Sequence, residues 1–244
     1  MADLLLLSNS TSPGFGYLGH AMNTIAAMLP AGRRRVLFVP FASADPDSYA
    51  ELIAAALAAI GAEVTAAHRQ GDPLRPLESA DAVLVGGGNT FRLLAVLQRT
   101  GMDAAITALV RDGLPYLGIS AGASVASPTL RTSAEMPIVP PRSLEALALV
   151  PFQIIPHFRD ADPASTRRGD ADELRIEEFL AVNAAAVLGL RDGSWLRVRG
   201  GAAAIGGTAG GALFRRGCLP GELPAGSDVS ALLSERPRFD AADG

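Results

Sequence analysis

Leu114-Pro115-Tyr116-Leu117-Gly118-Ile119-Ser120-Ala121-Gly122-Ala123-Ser124 is the stretch on which the reading of this chain turns. Through Ile119 it is a short apolar run of the kind that fills a buried strand. Ser120 follows at once, and Ala121-Gly122-Ala123 opens a helix. The result is a Gly-x-Ser-x-Gly element, Gly118-Ile119-Ser120-Ala121-Gly122. A serine on a sharp strand-to-helix turn has its hydroxyl pushed clear of the sheet, and small neighbours let substrate and returning backbone come close. Free backbone N–H groups at the helix start suit a developing oxyanion. Small-residue turns also occur for packing alone, so the function of this one depends on what the rest of the chain brings to it.

Outward from Ser120, strands and helices alternate. Leu4–Ser8, Arg35–Pro40, Glu63–Ala67 and Ala82–Val85 read as strands. Tyr17 to Leu29, a helix capped by Asp45-Pro46-Asp47-Ser48 and running to Ile60, Phe91 to Gln98, and Met102 to Arg111 read as helices. Continuously apolar strands between helices predict an α/β fold with a mostly parallel sheet covered on both faces. In such sheets the functional loops lie at the carboxyl ends of the strands, so Asn9, Gly88 and Ser120 are expected on one rim. Beyond Ser120, residues 128–160 are rich in proline and aperiodic, and Asp172 to Val182 is helical. Val187–Leu190, Trp195–Val198, Ala202–Ile205 and Ala212–Arg215 are short strands separated by turns, read as an antiparallel C-terminal extension of the sheet. One domain over residues 1–235 is expected, with a tail that loosens from Pro220 and is loosely ordered over 236–244.

Composition narrows the function classes. The 244 residues are 49% hydrophobic, 5% aromatic and carry a net charge of −4. The arginines are scattered, and no basic face points to nucleic acid. All 21 basic residues are arginine. The abundant Ala, Gly and Pro suggest a GC-rich coding bias, which lowers the functional weight of that arginine content. Cys218 is the one cysteine, so no internal disulfide forms and no metal cluster is suggested. The first residues lack a basic leader pattern, and Leu52 to Ala62 falls well short of the ~20 residues that span a bilayer. A cytoplasmic protein without metal or organic cofactor, and without nucleic-acid or membrane partners, is expected.

A serine nucleophile needs a base. His157, in Ile154-Ile155-Pro156-His157-Phe158, breaks an apolar strand and is well placed to reach a neighbouring strand end. His20 and His68 read as structural. The base is oriented by an acid, and two candidates stand out: Glu135, in Ser133-Ala134-Glu135-Met136, and Asp192, in Leu190-Arg191-Asp192-Gly193. Asp-Gly in a turn has a backbone explanation of its own, and Glu135 equally suits a solvated loop. His157 is followed by 87 residues, which argues against the α/β-hydrolase order with its late histidine. Gly86-Gly87-Gly88 after a buried strand lacks the Gly-Lys-Ser/Thr or Gly-x-Gly-x-x-Gly continuation of a nucleotide loop. It reads instead as an oxyanion hole, with the Gly88 N–H facing the Ala121 N–H.

Together these segments resemble peptidase E, the aspartyl dipeptidase family of serine peptidases, whose fold is similar to the flavodoxin-like class I glutamine amidotransferases. The resemblance rests on Leu4–Thr11, Val36–Phe41, Val85–Thr90, Gly118–Ala123, Met136–Val139, Pro156–Phe158 and Gly189–Trp195 in that order. It implies Ser120 as nucleophile, His157 as general base, Gly88 and Ala121 as oxyanion donors, and hydrolysis of dipeptides or short peptides with N-terminal aspartate. The family's orienting acid, usually glutamate, falls at Asp192, and a second acid, usually aspartate, falls at Glu135; the two types are exchanged here. Asp192 is preferred, and being one methylene shorter it requires a closer backbone or a bridging water. The family's substrate arginine falls at Asp172, with Arg167 and Arg168 nearby as alternative cations and Asn89 as a further substrate contact. A small peptide substrate and a monomer or homodimer are expected. A cyanophycinase-like or β-aspartyl peptidase, or a peptide binder without turnover, are the alternatives.

Overall fold

The computed structural model describes residues 2–32, 34–160 and 172–240. Its centre is a seven-stranded sheet. β1 (Asp3–Leu7), β2 (Arg35–Val39), β3 (Glu63–Ala66), β4 (Ala82–Val85) and β5 (Tyr116–Ile119) are its parallel part. The spatial order is β3-β2-β4-β5-β1. The unbroken apolar run of β1 follows from burial on both faces. Leu4 and Leu6 join one core cluster, and Leu5 and Leu7 join the other, because successive side chains on a strand point to opposite sides. One face is covered by α1 (Met22–Met28) and α2 (Pro46–Ala58). The other is covered by α3 (Thr90–Thr100), α4 (Met102–Arg111) and α5 (Ala121–Ser124). The Asp45 carboxylate accepts the Ser48 N–H at 3.1 Å and so caps α2.

The C-terminal third departs in part from the sequence expectation. β8 (Ser194–Arg199) and β9 (Ala202–Gly207) do extend the central sheet antiparallel from β1. β6 (Gln153–Ile155), β7 (Val187–Leu190), β10 (Gly211–Phe214) and β11 (Gly221–Leu223) form a separate four-stranded sheet, ordered β11-β10-β7-β6. The pairing of β6 with β7 is parallel and spans α6 (Asp172–Val182). Strand periodicity carries no record of such a distant partner.

Two other expectations are corrected. The helix read from Tyr17 begins only at Met22, because Leu18 is in the left-handed region (φ 59°) with its N–H bonded to Ser10 O. The chain beyond Pro220 is held down through Asp240. β11 pairs with β10, Val229 and Leu232 enter the core, Arg238 bridges to Ala184, and Asp240 pairs with Arg131. Few polar residues sit at these buried positions, but the segment has no periodicity to reveal that. Residues 241–244 lie outside the described residues. Among the described residues no single helix is long and apolar enough to cross a membrane.

The turn at Ser120 depends on close backbone contact. A Cβ at Gly122 would lie 2.1 Å from Val85 O. Gly122→Ala is therefore expected to cost about 2–3 kcal/mol through overpacking, seen as a lowered urea midpoint. An unchanged midpoint would contradict this account of the turn.

Candidate active site

β5 ends at Ser120, whose backbone lies at φ 52°, ψ −109° before α5 begins. A non-glycine residue there is strained and persists because its surroundings fix it. The Ser120 N–H is bonded to Leu7 O at 3.0 Å, and the buried Tyr116 hydroxyl donates to Gly122 O at 2.7 Å. Burial raises the pKa of that tyrosine, which keeps it a neutral donor.

The backbone N–H groups of Ala121 and of the glycine run packed against Ser120 are the candidate oxyanion donors. Ala121 opens α5 and so has no acceptor one turn earlier. In the triple glycine, Gly86 N–H bonds Val39 O, Gly87 N–H bonds the Tyr49 hydroxyl at 2.9 Å, and Asn89 N–H bonds Ala42 O at 2.9 Å. Among the described residues the Gly88 N–H has no such acceptor. Gly88 has φ 130°, and a Cβ there would lie 2.3 Å from Ala42 O. The glycine run therefore serves close approach beside Ser120, where a Cβ on Gly87 would stand 3.2 Å from the Ser120 Cβ.

His157 follows β6 and has φ 58°. Its Nε2 lies 2.8 Å from Ser120 Oγ, and its Nδ1 lies 2.7 Å from Asp192 Oδ1. An ionised carboxylate only accepts, so Nδ1 carries the ring proton and Nε2 is left to accept from the serine hydroxyl. Asp192 touches the ring directly, with no bridging water required. Its turn is drawn in by Gly193 N–H donating to Asn9 Oδ1 at 2.8 Å and by Ser194 N–H donating to Arg191 O at 3.1 Å. Phe158 N–H donates to Leu190 O at 3.0 Å. The Phe158 ring occupies the space that a Cβ at Gly189 would take.

The other candidates fall elsewhere. Glu135 accepts the Thr90 N–H at the start of α3, where its charge complements the helix dipole. It lines a cavity of about 480 Å³ beside His157, together with Arg159, Asp172 and Arg175. Asn89, read as a substrate contact, spends its side chain on structure: Oδ1 caps α3 through Arg92 N–H at 3.0 Å, and Nδ2 donates to Met136 O at 2.8 Å. Asp172 is occupied too. It accepts the Arg159 N–H at 2.9 Å and pairs with Arg175 at 3.2 Å. Arg167 and Arg168 lie outside the described residues. His68 pairs with Asp47 at 3.0 Å. Among the described residues the buried ring nitrogens of His20 have no hydrogen-bond partner, and desolvation lowers its pKa against the opposing pull of Asp192.

Sequence reading missed Tyr49, Ser8 and Arg191. Arg191 stands next to Asp192 and donates to Asp160 (2.5 and 2.7 Å) and Glu222 (2.6 and 2.8 Å), with its guanidinium 5.9 Å from the centre of the Phe158 ring. It ties the loop after His157 to β11. Its position beside the candidate acid was the only available signal, and scattered arginines diluted it.

The Peptidase family S51 model matches residues 4–206. The chain belongs to that family. It is 56% identical over 238 residues to peptidase E of Streptomyces coelicolor, covering 98% of each. It is 45% identical over 227 residues to peptidase E of Shigella flexneri, covering 92% of this chain and 98% of the relative. In fold it is similar to a peptidase from an acI-B1 Actinobacterium (TM-score 0.66, 18% identity, 94% and 96% covered). A candidate peptidase E of Listeria monocytogenes is comparably similar (TM-score 0.65, 24% identity, 85% and 98% covered). This S51 chain is accordingly a serine peptidase, as the resemblance implied, on the mostly parallel α/β fold expected.

The Arg191 clamp has a pH signature. Hydrogen bonds from Arg191 hold the Asp160 and Glu222 carboxyls below the usual carboxylate range. Groups depressed in this way stabilise the fold above the unfolded-state pKa, and that contribution is lost as pH falls through the lowered range. Arg191→Met is expected to lower the melting temperature of the peptidase at neutral pH, with the gap to the parent narrowing from about pH 5 towards pH 3. A gap that stays constant with pH would rule out the clamp as its source.

Proposed function

We propose that this S51 peptidase is a cytoplasmic exopeptidase that hydrolyses dipeptides or short peptides through an acyl-enzyme on Ser120. The observation carrying the proposal is the continuous chain Ser120 Oγ–His157 Nε2–His157 Nδ1–Asp192 Oδ1, at 2.8 and 2.7 Å. His157 takes the hydroxyl proton as Ser120 Oγ attacks the peptide carbonyl, and Asp192 stabilises the imidazolium that forms. The Gly88 and Ala121 N–H groups receive the oxyanion. His157 then protonates the departing amine, the C–N bond breaks, and water activated by the same imidazole hydrolyses the ester.

A small substrate is supported by the cavity beside His157, about 480 Å³, within the roughly 300–1,000 Å³ of small-ligand sites. Its charged wall suits a free N-terminus with an acidic side chain. Glu135 offers a carboxylate for the α-ammonium. Arg175, with Arg159 beside it, offers a guanidinium for the N-terminal aspartate that the peptidase E resemblance implies. Asp172 holds Arg175 through Nη1 at 3.2 Å, so a substrate carboxylate would share the guanidinium's other N–H groups.

Ser120→Ala is expected to remove hydrolysis of every dipeptide the parent cleaves, and Asp192→Asn to lower kcat by about 10⁴ through the wrong imidazole tautomer. A fluorophosphonate probe should label the parent at Ser120 and leave His157→Ala unlabelled. Full turnover by Ser120→Ala would end the proposal, and peptide binding without labelling of the parent would mark a binder instead.

Specificity is tested with dipeptides carrying α-linked or β-linked N-terminal aspartate, or a neutral N-terminal residue. Arg175→Met is expected to raise KM at least about tenfold for α-aspartyl substrates and to spare neutral ones. Equal effects on all three classes would remove Arg175 from side-chain recognition.

A further inference from the structure

Ser8 follows directly on β1 and is fully buried. Its hydroxyl meets three parts of the site that are far away in sequence. Oγ accepts the backbone N–H of His157 at 2.8 Å, and it lies 2.9 Å from Leu190 O and 3.1 Å from Asp192 Oδ1. A hydroxyl has one proton and two lone pairs. The lone pairs hold the histidine backbone while the proton is shared between the Leu190 carbonyl and the Asp192 carboxylate.

Both partners need holding. His157 has φ 58°, a conformation that a residue with a side chain keeps only under constraint. The Asp192 side chain is 56% exposed, so water competes for it and packing does not fix its rotamer. Ser8 supplies a second donor to the same oxygen that accepts from His157 Nδ1. It also ties the histidine backbone to the end of β1, beside the strand that presents Ser120, since Leu7 O accepts the Ser120 N–H. Asparagine at the next position repeats the device by fixing the Gly193 N–H.

We propose that Ser8 is a positioning residue of the hydrolytic reaction, its hydroxyl setting the spacing at which Asp192 meets His157. The proposal rests on the roles given above to Ser120, His157 and Asp192. It accounts for how an aspartate serves where the resemblance implies a longer glutamate: both the acid and the base are pulled to one buried oxygen. A serine that merely satisfied its own hydrogen bonds would need only Leu190 O, and turnover would not depend on it.

The test uses Ser8→Ala in the full-length chain, with the dipeptide the parent cleaves best. The expected result is a fall in kcat of about tenfold to thirtyfold, reflecting a misplaced base, with KM within about twofold. Placed in an Asp192→Ala background, the same change should cost no more than about threefold, because residues acting as a unit are not additive. A folded Ser8→Ala variant with kcat within about twofold of the parent overturns the proposal. So does the full loss repeated in the Asp192→Ala background, which a structural defect alone would produce. Where Ser8→Ala fails to fold, Ser8→Cys decides, since it keeps the volume and weakens the hydrogen bonds. Its kcat should fall about fivefold or more, and a parental value overturns the proposal. Loss of activity in Ser120→Ala tests the underlying mechanism separately. If Ser120→Ala is inactive while Ser8→Ala is unaffected, only the role of Ser8 is lost.

Discussion

The contact between Ser120 and His157 is the constraint on which the site depends, because it joins two sheets. Ser120 stands at the end of β5 in the central sheet, while His157 leaves the end of β6 in the second one. Asp192 lies in the turn where the chain passes from β7 of the second sheet to β8 of the central sheet. A serine hydroxyl 2.8 Å from an imidazole nitrogen therefore requires the two sheets to meet in one relative placement. Phe158 against Gly189, the Arg191 clamp and the bonds from Ser8 and Asn9 all act on that junction. One apolar cluster runs across both sheets, from Leu4 and Tyr116 to Ile154 and Leu188, but non-directional packing does not by itself set hydrogen-bond distances between them.

The same junction explains why neither of two similar acids is interchangeable with the other. Glu135 and Asp192 both lie near His157 in space, yet each has a different partner. Glu135 faces the start of α3 and its N–H groups, whereas Asp192 faces the imidazole. Their roles follow from the element each carboxylate meets, not from side-chain length. The shorter acid reaches the ring because its turn is drawn inwards from several sides.

Much of the central sheet was legible in the sequence. Leu4–Leu7 and Ala82–Val85 are apolar without interruption, which burial on both faces demands, and the Ser120 turn is written in the small residues that the backbone contacts require. His157 could be chosen because it interrupts an apolar strand downstream of Ser120. The second sheet was not legible, since β6 meets β7 across α6 and local pattern holds no trace of that partner. Ser8 was hidden as the last residue of an apolar strand, where a serine has many ordinary explanations. The capping of α3 by Asn89 was not read either, although an asparagine before an apolar helix is a common cap. The ordered segment beyond Pro220 was missed because its few buried residues, such as Val229 and Leu232, follow no period.

The separation of the site residues along the chain has a consequence for the timing of activity. The hydroxyl of Ser8 bonds residues 149 and 184 positions further on. The turn at Ser120 rests on Leu7 and Val85, which precede it in the chain, but His157 and Asp192 are placed by β6, β7 and the turn after β7. During synthesis, which runs from the N-terminus, the nascent chain thus carries Ser120 before its contacts with His157 and Asp192 are available. A chain that stops short of Asp192 therefore cannot close the Ser120–His157–Asp192 series of contacts, whichever of its strands have already paired.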